Sequence, residues 1–154
     1  KVCGISDPNS SEFSKNSKNP VIDILPNQNI EKDDIGASMR LGTYPCKVKS
    51  DTQAHEIYGN EIVYERHRHR YEVNNKYRKD LEASGLVFSG VSPDDDLIEM
   101  IELKDHPFFV ASQFHPEFKS RPWDPAPMFN SFIKASKEID LSTEKIDDST
   151  KVRD

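Results

Sequence analysis

Long apolar runs are missing from this chain. No window approaches the roughly 20 apolar residues that a membrane-crossing helix needs, and the polar start KVCGISDPNSSEF is no signal peptide. A basic excess is missing as well. The 21 lysines and arginines stand against 27 aspartates and glutamates, a formal net charge of −6, which argues against a protein built mainly to bind nucleic acid. Cysteine is scarce: Cys3 and Cys46 are the only two, too few for a disulfide scaffold and in keeping with a reducing cytoplasm. Hydrophobic residues make up only 34% against roughly 45% in an average compact domain, so part of the chain is expected to be loop or tail. No repeat of fixed period is visible. The 154 residues suffice for one domain with a core of its own, and a first residue of lysine fits a piece of something longer.

What is present is a succession of short elements. Residues 6–20, rich in serine, asparagine and proline, read as loop. The run 21–25 (VIDIL) between Pro20 and Pro26 has the profile of a buried strand. Residues 27–36 read as an exposed connection, and 38–49 as a strand interrupted at Pro45, hence near an edge or bulge. Asp51 or Thr52 can cap a short helix that Gly59 ends. A strand is expected over 61–67, then a helix capped by Asn74 or Asn75 and closed by Gly85. LVFSGVS, LIEMIEL and PFFVASQF follow as strands, the first two joined at Pro93–Asp96. Residues 126–137 carry Met128, Phe129, Phe132 and Ile133 at helical spacing. After Lys137 no aromatic residue remains, and 138–154 reads as a disordered tail behind a domain of residues 1–137. Helices punctuating strands make the fold class α/β.

Three segments can carry chemistry. In Val110–Phe118 an apolar strand runs into His115, Pro116 and Glu117. Catalytic groups of open α/β sheets gather just beyond strand ends. A histidine near neutrality can take a proton from a thiol or hydroxyl while a carboxylate holds its second ring nitrogen. In an extended backbone, residues i and i+2 share a side, so His115 and Glu117 can meet. On H-x-E alone, a histidine bonding a carbonyl explains the residues as well. The second segment alternates Arg66, His67, Arg68, His69 and Arg70. A straight strand puts the arginines on one face, planar forks suited to carboxylates or phosphates, and the histidines on the other. Neither a further histidine or cysteine at ligand spacing nor a glycine-rich cradle nor a stacking platform accompanies them, leaving anion recognition or an ion-paired strand. The third is Asn9–Phe13, where Glu12 sits in a polar loop and can cap, bind an ammonium, or do neither. Cys46, behind a proline and without a glycine elbow, reads as packing rather than as a nucleophile.

Taken together, NSSEF, GASMRLG, YERHRHRYEVNN, SPDDDLIEMIEL and HPFFVASQFHPEFKSRP resemble the C-terminal class I (triad) glutamine amidotransferase domain of the CTP synthase family, from about Val2 to Ser136. The resemblance implies a flavodoxin-like mixed sheet flanked by helices, here truncated by its first strands and helices. It implies an enzyme that makes CTP from UTP, ATP and glutamine, its amidotransferase part hydrolysing L-glutamine and passing ammonia to an upstream ligase domain of the same polypeptide. By motif, His115 and Glu117 match the last two members of a cysteine–histidine–glutamate triad, and Glu12 and Arg70 match the glutamine-binding glutamate and arginine. No cofactor or metal site is implied in this piece; ATP, Mg²⁺ and the activator GTP are expected for the full enzyme, as are a homotetramer and a cytoplasmic location, without membrane or nucleic-acid partners. The family's G-x-C-x-G nucleophile would precede Lys1, and Cys3 lacks its glycines, so these residues alone are expected to be inactive. GASMRLG stands where the family has GGTMRLG. Two competing readings are another triad hydrolase, such as a γ-glutamyl peptidase, which leaves RHRHRYEVNN idle, and a non-catalytic module for binding or assembly.

Overall fold

The structure, a computed structural model, describes residues 3–24 and 39–150, with side chains up to Glu138. The connection expected at 27–36 and the Gly36–Ser38 part of GASMRLG lie outside the described residues. The strands are β1 (Pro8–Ser10), β2 (Asn19–Ile24), β3 (Arg40–Val48), β4 (Ile62–His69), β5 (Tyr71–Val73), β6 (Leu86–Val91), β7 (Ile98–Leu103) and β8 (Val110–Ser112); the helices are α1 (Gln53–Tyr58), α2 (Arg78–Ala83) and α3 (Pro127–Thr150). They form two sheets, β1-β2-β5 and β4-β3-β6-β7-β8. Among the described residues β1 and β2 pair in parallel and the other pairs are antiparallel.

Several elements end where side-chain chemistry ends them. The Thr52 hydroxyl accepts from the His55 amide and opens α1, and Gly59, at φ 67°, closes it in the left-handed region that favours glycine. The buried Glu102 carboxylate of β7 adds a cap, accepting from the amides of Gln53 and Ala54 at 3.0 Å each. Asn74 caps a short 3-10 turn over Asn75–Tyr77 that leads into α2, so the helix expected from the asparagines begins as 3-10 and becomes α-helical only at Arg78. Strand β3 runs unbroken through Pro45, paired with β4 on one side; among the described residues β6 pairs with its other side only at Lys47 and Val48, which leaves the stretch around Pro45 without a ladder partner there, so that it tolerates a residue without an amide hydrogen.

The core lies between the inner face of the larger sheet and the helices: Cys46, Val48, Val63, Met100 and Phe114 meet Ala54 of α1 and Met128 of α3. Gly90 is required by this packing, because a Cβ there would stand 2.7 Å from Met100 Cγ and 2.8 Å from Cys46 Sγ. Two expectations need correction. Residues 6–20 are not all loop, since β1 forms within them and β2 starts at Asn19; a three-residue strand made by pairing has too short a pattern to betray itself. The helix expected over 126–137 spans Pro127–Thr150, with no glycine or proline in 138–150 to interrupt it. Residues 151–154 lie outside the described residues.

Candidate active site

Strand β4 organises the site. Val63, Glu65 and His67 point inward and are buried, whereas Tyr64, Arg66 and Arg68 face outward, the alternation a straight strand requires. The alternation stops at Arg70, which sits in the bend between β4 and β5. The expected single arginine face therefore ends at Arg68. The bend matters because it turns Arg70 into a cleft of about 620 Å³ lined also by Arg68, His69, Tyr71, Met39, Ile22, Gln113 and Glu12.

Glu12 approaches from the other wall. It lies in the turn that follows β1, closed by the amides of Phe13 and Ser14 donating to the Ser10 carbonyl and by the Glu12 amide donating to the Ser10 hydroxyl at 3.2 Å. The parallel pairing of β1 with β2 and the antiparallel pairing of β2 with β5 bring this turn beside the bend that holds Arg70. One carboxylate and two guanidiniums thus share a cleft, a charge pattern suited to a zwitterion.

His115 and Glu117 form the second constellation. Beyond β8 the chain enters a 3-10 turn over Pro116–Phe118, with proline at its first position. His115 Nδ1 lies 2.7 Å from Glu117 Oε1. The two side chains meet as the sequence predicts, but through a tight turn rather than an extended strand. The His115 hydrogen bond holds the Glu117 carboxyl below the usual carboxylate range. With Nδ1 engaged by a carboxylate, Nε2 is left as the proton acceptor, the arrangement a general base requires. The His115 amide donates to the Arg66 carbonyl at 2.8 Å and the Lys119 ammonium to the Tyr64 carbonyl at 2.6 Å, which ties both ends of the turn to β4. The strand that holds His115 at Arg66 therefore lines the cleft at Arg68, two residues on.

His67 and Cys46 take no part in such chemistry. His67 is 1% exposed, edge-on to Tyr44 and Phe114, and its two ring nitrogens have no hydrogen bond. Burial and then the Arg40 charge push its pKa down to about 3, so it is neutral, and its 3.6 Å approach to Glu99 is not an ion pair. Burial, followed by the charges of Glu99 and Glu65, pushes the Cys46 thiol up to about 12, which leaves no thiolate near neutrality. Among the described residues, no group of three or more His, Cys, Asp or Glu is arranged to hold a metal ion, and no helix is long and apolar enough to cross a membrane. Arg68 lines the cleft as one of the arginines offered for anion recognition; His69 and Gln113 were not singled out as cleft residues by the sequence, and their adjacency to Arg70 and His115 in RHRHR and QFHPE was the available signal.

The glutamine amidotransferase class-I family model matches residues 14–135. The chain belongs to the class I glutamine amidotransferases. Among curated proteins it is 61% identical over 135 residues to the CTP synthase of Moorella thermoacetica, covering 88% of this chain and 25% of that protein. It is 57% identical over 141 residues to the CTP synthase of Caldanaerobacter subterraneus subsp. tengcongensis, covering 92% of this chain and 26% of that protein. The chain thus spans about a quarter of the length of the curated relatives it matches. Among solved structures, the glutaminase domain of Trypanosoma brucei CTPS with bound acivicin superposes with a TM-score of 0.81 at 39% identity, over 90% of this chain and 53% of that one. The amidotransferase fold expected from the sequence is the one found.

Proposed function

We propose that this chain is the glutamine-handling part of a CTP synthase, supplying the histidine–glutamate half of a glutaminase triad together with the pocket for the substrate's amino-acid end. The observation that carries the reading is a single strand, β4, that fastens the His115–Glu117 pair and leads directly into a cleft of mixed charge. Glu12 takes the α-ammonium of glutamine and Arg70 its α-carboxylate, which leaves the side-chain amide free to extend toward His115. A cysteine thiolate from outside these residues attacks the amide carbon. His115 Nε2 delivers a proton to the departing nitrogen, ammonia leaves, and a glutamyl thioester remains for water to cleave. Glu117 keeps the imidazole oriented and stabilises its charged form. The ammonia is passed to a ligase domain of the same polypeptide, to which ATP, Mg²⁺ and the GTP activator belong; a cytoplasmic homotetramer is part of the same proposal. Relatives at 57% and 61% identity that are CTP synthases favour this over a γ-glutamyl peptidase.

The test uses a full-length CTP synthase carrying this segment in place of its own. Arg70→Ala is expected to raise the KM for glutamine about 10- to 150-fold, the equivalent of roughly 1.5–3 kcal/mol for a charge-assisted contact, with ammonia-dependent synthesis nearly intact. Glu12→Gln should raise KM in the same way without moving the Tm by more than a degree or two. Equal damage to the glutamine- and ammonia-dependent reactions would make Arg70 structural and sink the reading. The 154-residue chain by itself is expected to turn over no glutamine in a sensitive glutaminase assay; turnover abolished by Cys46→Ser would make Cys46 the nucleophile and overturn the reading.

A further inference from the structure

We infer that Glu72 is a positioning residue for glutamine recognition: from beneath the cleft it fixes the bend that presents Arg70. This inference rests on the proposed role of Arg70 and extends it to a residue that does not touch the cleft. An arginine side chain is long and freely rotating, so aiming its fork at a carboxylate requires a defined backbone beneath it. Arg70 stands at the corner where β4 of one sheet passes into β5 of the other, between His69, which pairs with Arg40 of β3, and Tyr71, which pairs with Ile24 of β2.

Glu72 ties the two ladders together through its side chain. It is 3% exposed, and its Oε1 lies 2.8 Å from His69 Nε2 and 3.3 Å from Arg40 Nη1. The first contact closes a side-chain loop from residue 69 to residue 72 around Arg70. The second fastens that loop to β3, and Arg40 Nη1 is also 2.8 Å from Glu99 Oε1 on β7. The Arg40 guanidinium lies over the Tyr44 ring at 4.7 Å. One buried carboxylate therefore holds the residue before Arg70, stands two residues after it, and joins the corner to the larger sheet. Arg68, His69, Arg70 and Tyr71, the cleft wall, are the residues this brace encloses or adjoins.

The experiment is again done in the full-length enzyme carrying this segment. Glu72→Leu removes both contacts and should raise the KM for glutamine at least tenfold while kcat at saturating glutamine and ammonia-dependent synthesis stay within about threefold. A purely structural role would not produce that split. Glu72→Gln keeps an oxygen for His69 but loses the charge, and should restore most of the affinity, with KM two- to fivefold above the parent. Unchanged KM, or parallel loss of the glutamine- and ammonia-dependent reactions, overturns the inference. If Glu72→Leu does not fold, Glu72→Gln carries the test: a two- to fivefold rise in KM with ammonia-dependent synthesis intact supports the brace, and an unchanged KM overturns it. Arg70→Ala, run alongside, separates the two claims. Should Arg70→Ala raise KM and neither Glu72 variant do so, Glu72 alone is misassigned; should Arg70→Ala leave KM unchanged, the site reading itself falls and Glu72 with it.

Discussion

His115→Ala in the full-length enzyme is expected to cut glutamine-dependent CTP formation on the order of 10³-fold or more, with ammonia-dependent formation within about twofold of the parent. The contrast follows from where the histidine acts. Its Nε2 is free for a proton because Nδ1 is engaged by Glu117 at 2.7 Å, and only the amide-cleaving step needs that proton. Glu117→Ala should cost less, since it misorients the base without removing it. Adding Glu117→Ala to His115→Ala should cost almost nothing further, because members of one proton-transfer unit are strongly non-additive. Initial rates with glutamine and with ammonium, for the two single variants and the double, give the coupling directly; losses that multiply would show two independent residues. The low pKa of Glu117 adds a directional expectation. Its charge persists below the usual carboxylate range, so the acid limb of the glutaminase profile should not follow an ordinary glutamate.

Features set by contiguous residues were legible in the sequence. Thr52 and Gly59 bracket α1 because capping chemistry is local, and Pro93–Asp96 turns the chain between β6 and β7 with Asp95 at φ 63°. The His115–Glu117 pair was legible for the same reason, two residues apart, although the backbone joins them by a different route. A proline after His115 favours the first position of a 3-10 turn as readily as it breaks a strand, and periodicity cannot tell the two apart. What escaped was non-local. Strand β1 exists only because β2 pairs with it. The departure of Arg70 from the arginine face depends on β5 joining the other sheet. So dense a run of cations calls for acidic partners. Glu72 and Glu99 are indeed close by and buried, but the guanidinium they face is that of Arg40, some thirty positions earlier in the chain, while Arg66 and Arg68 face outward.

That placement of Arg40 carries the largest stability effect expected of any single change here. Its side chain is 10% exposed and lies within 3.3 Å of Glu72 and 2.8 Å of Glu99, both nearly inaccessible. Arg40→Leu would leave two buried carboxylates without their shared cation, a loss of roughly 3–5 kcal/mol, read as urea or thermal unfolding of the chain. The deficit should depend on pH in a fixed direction. Burial already raises the pKa of Glu99 and Arg40 opposes that rise, so without Arg40 the folded-state pKa climbs further. A group raised in the folded state stabilises fully below its unfolded pKa and loses that contribution as pH rises through the folded one. The Glu99 penalty is therefore largest in alkali and fades toward the ordinary carboxylate range. Glu99 thus makes the Arg40→Leu deficit smaller at pH 5 than at pH 8, and adding Glu99→Gln should recover part of the stability at pH 8 and much less at pH 5. A deficit independent of pH, untouched by Glu99→Gln, would mean that Arg40 contributes by packing on Tyr44 rather than by charge.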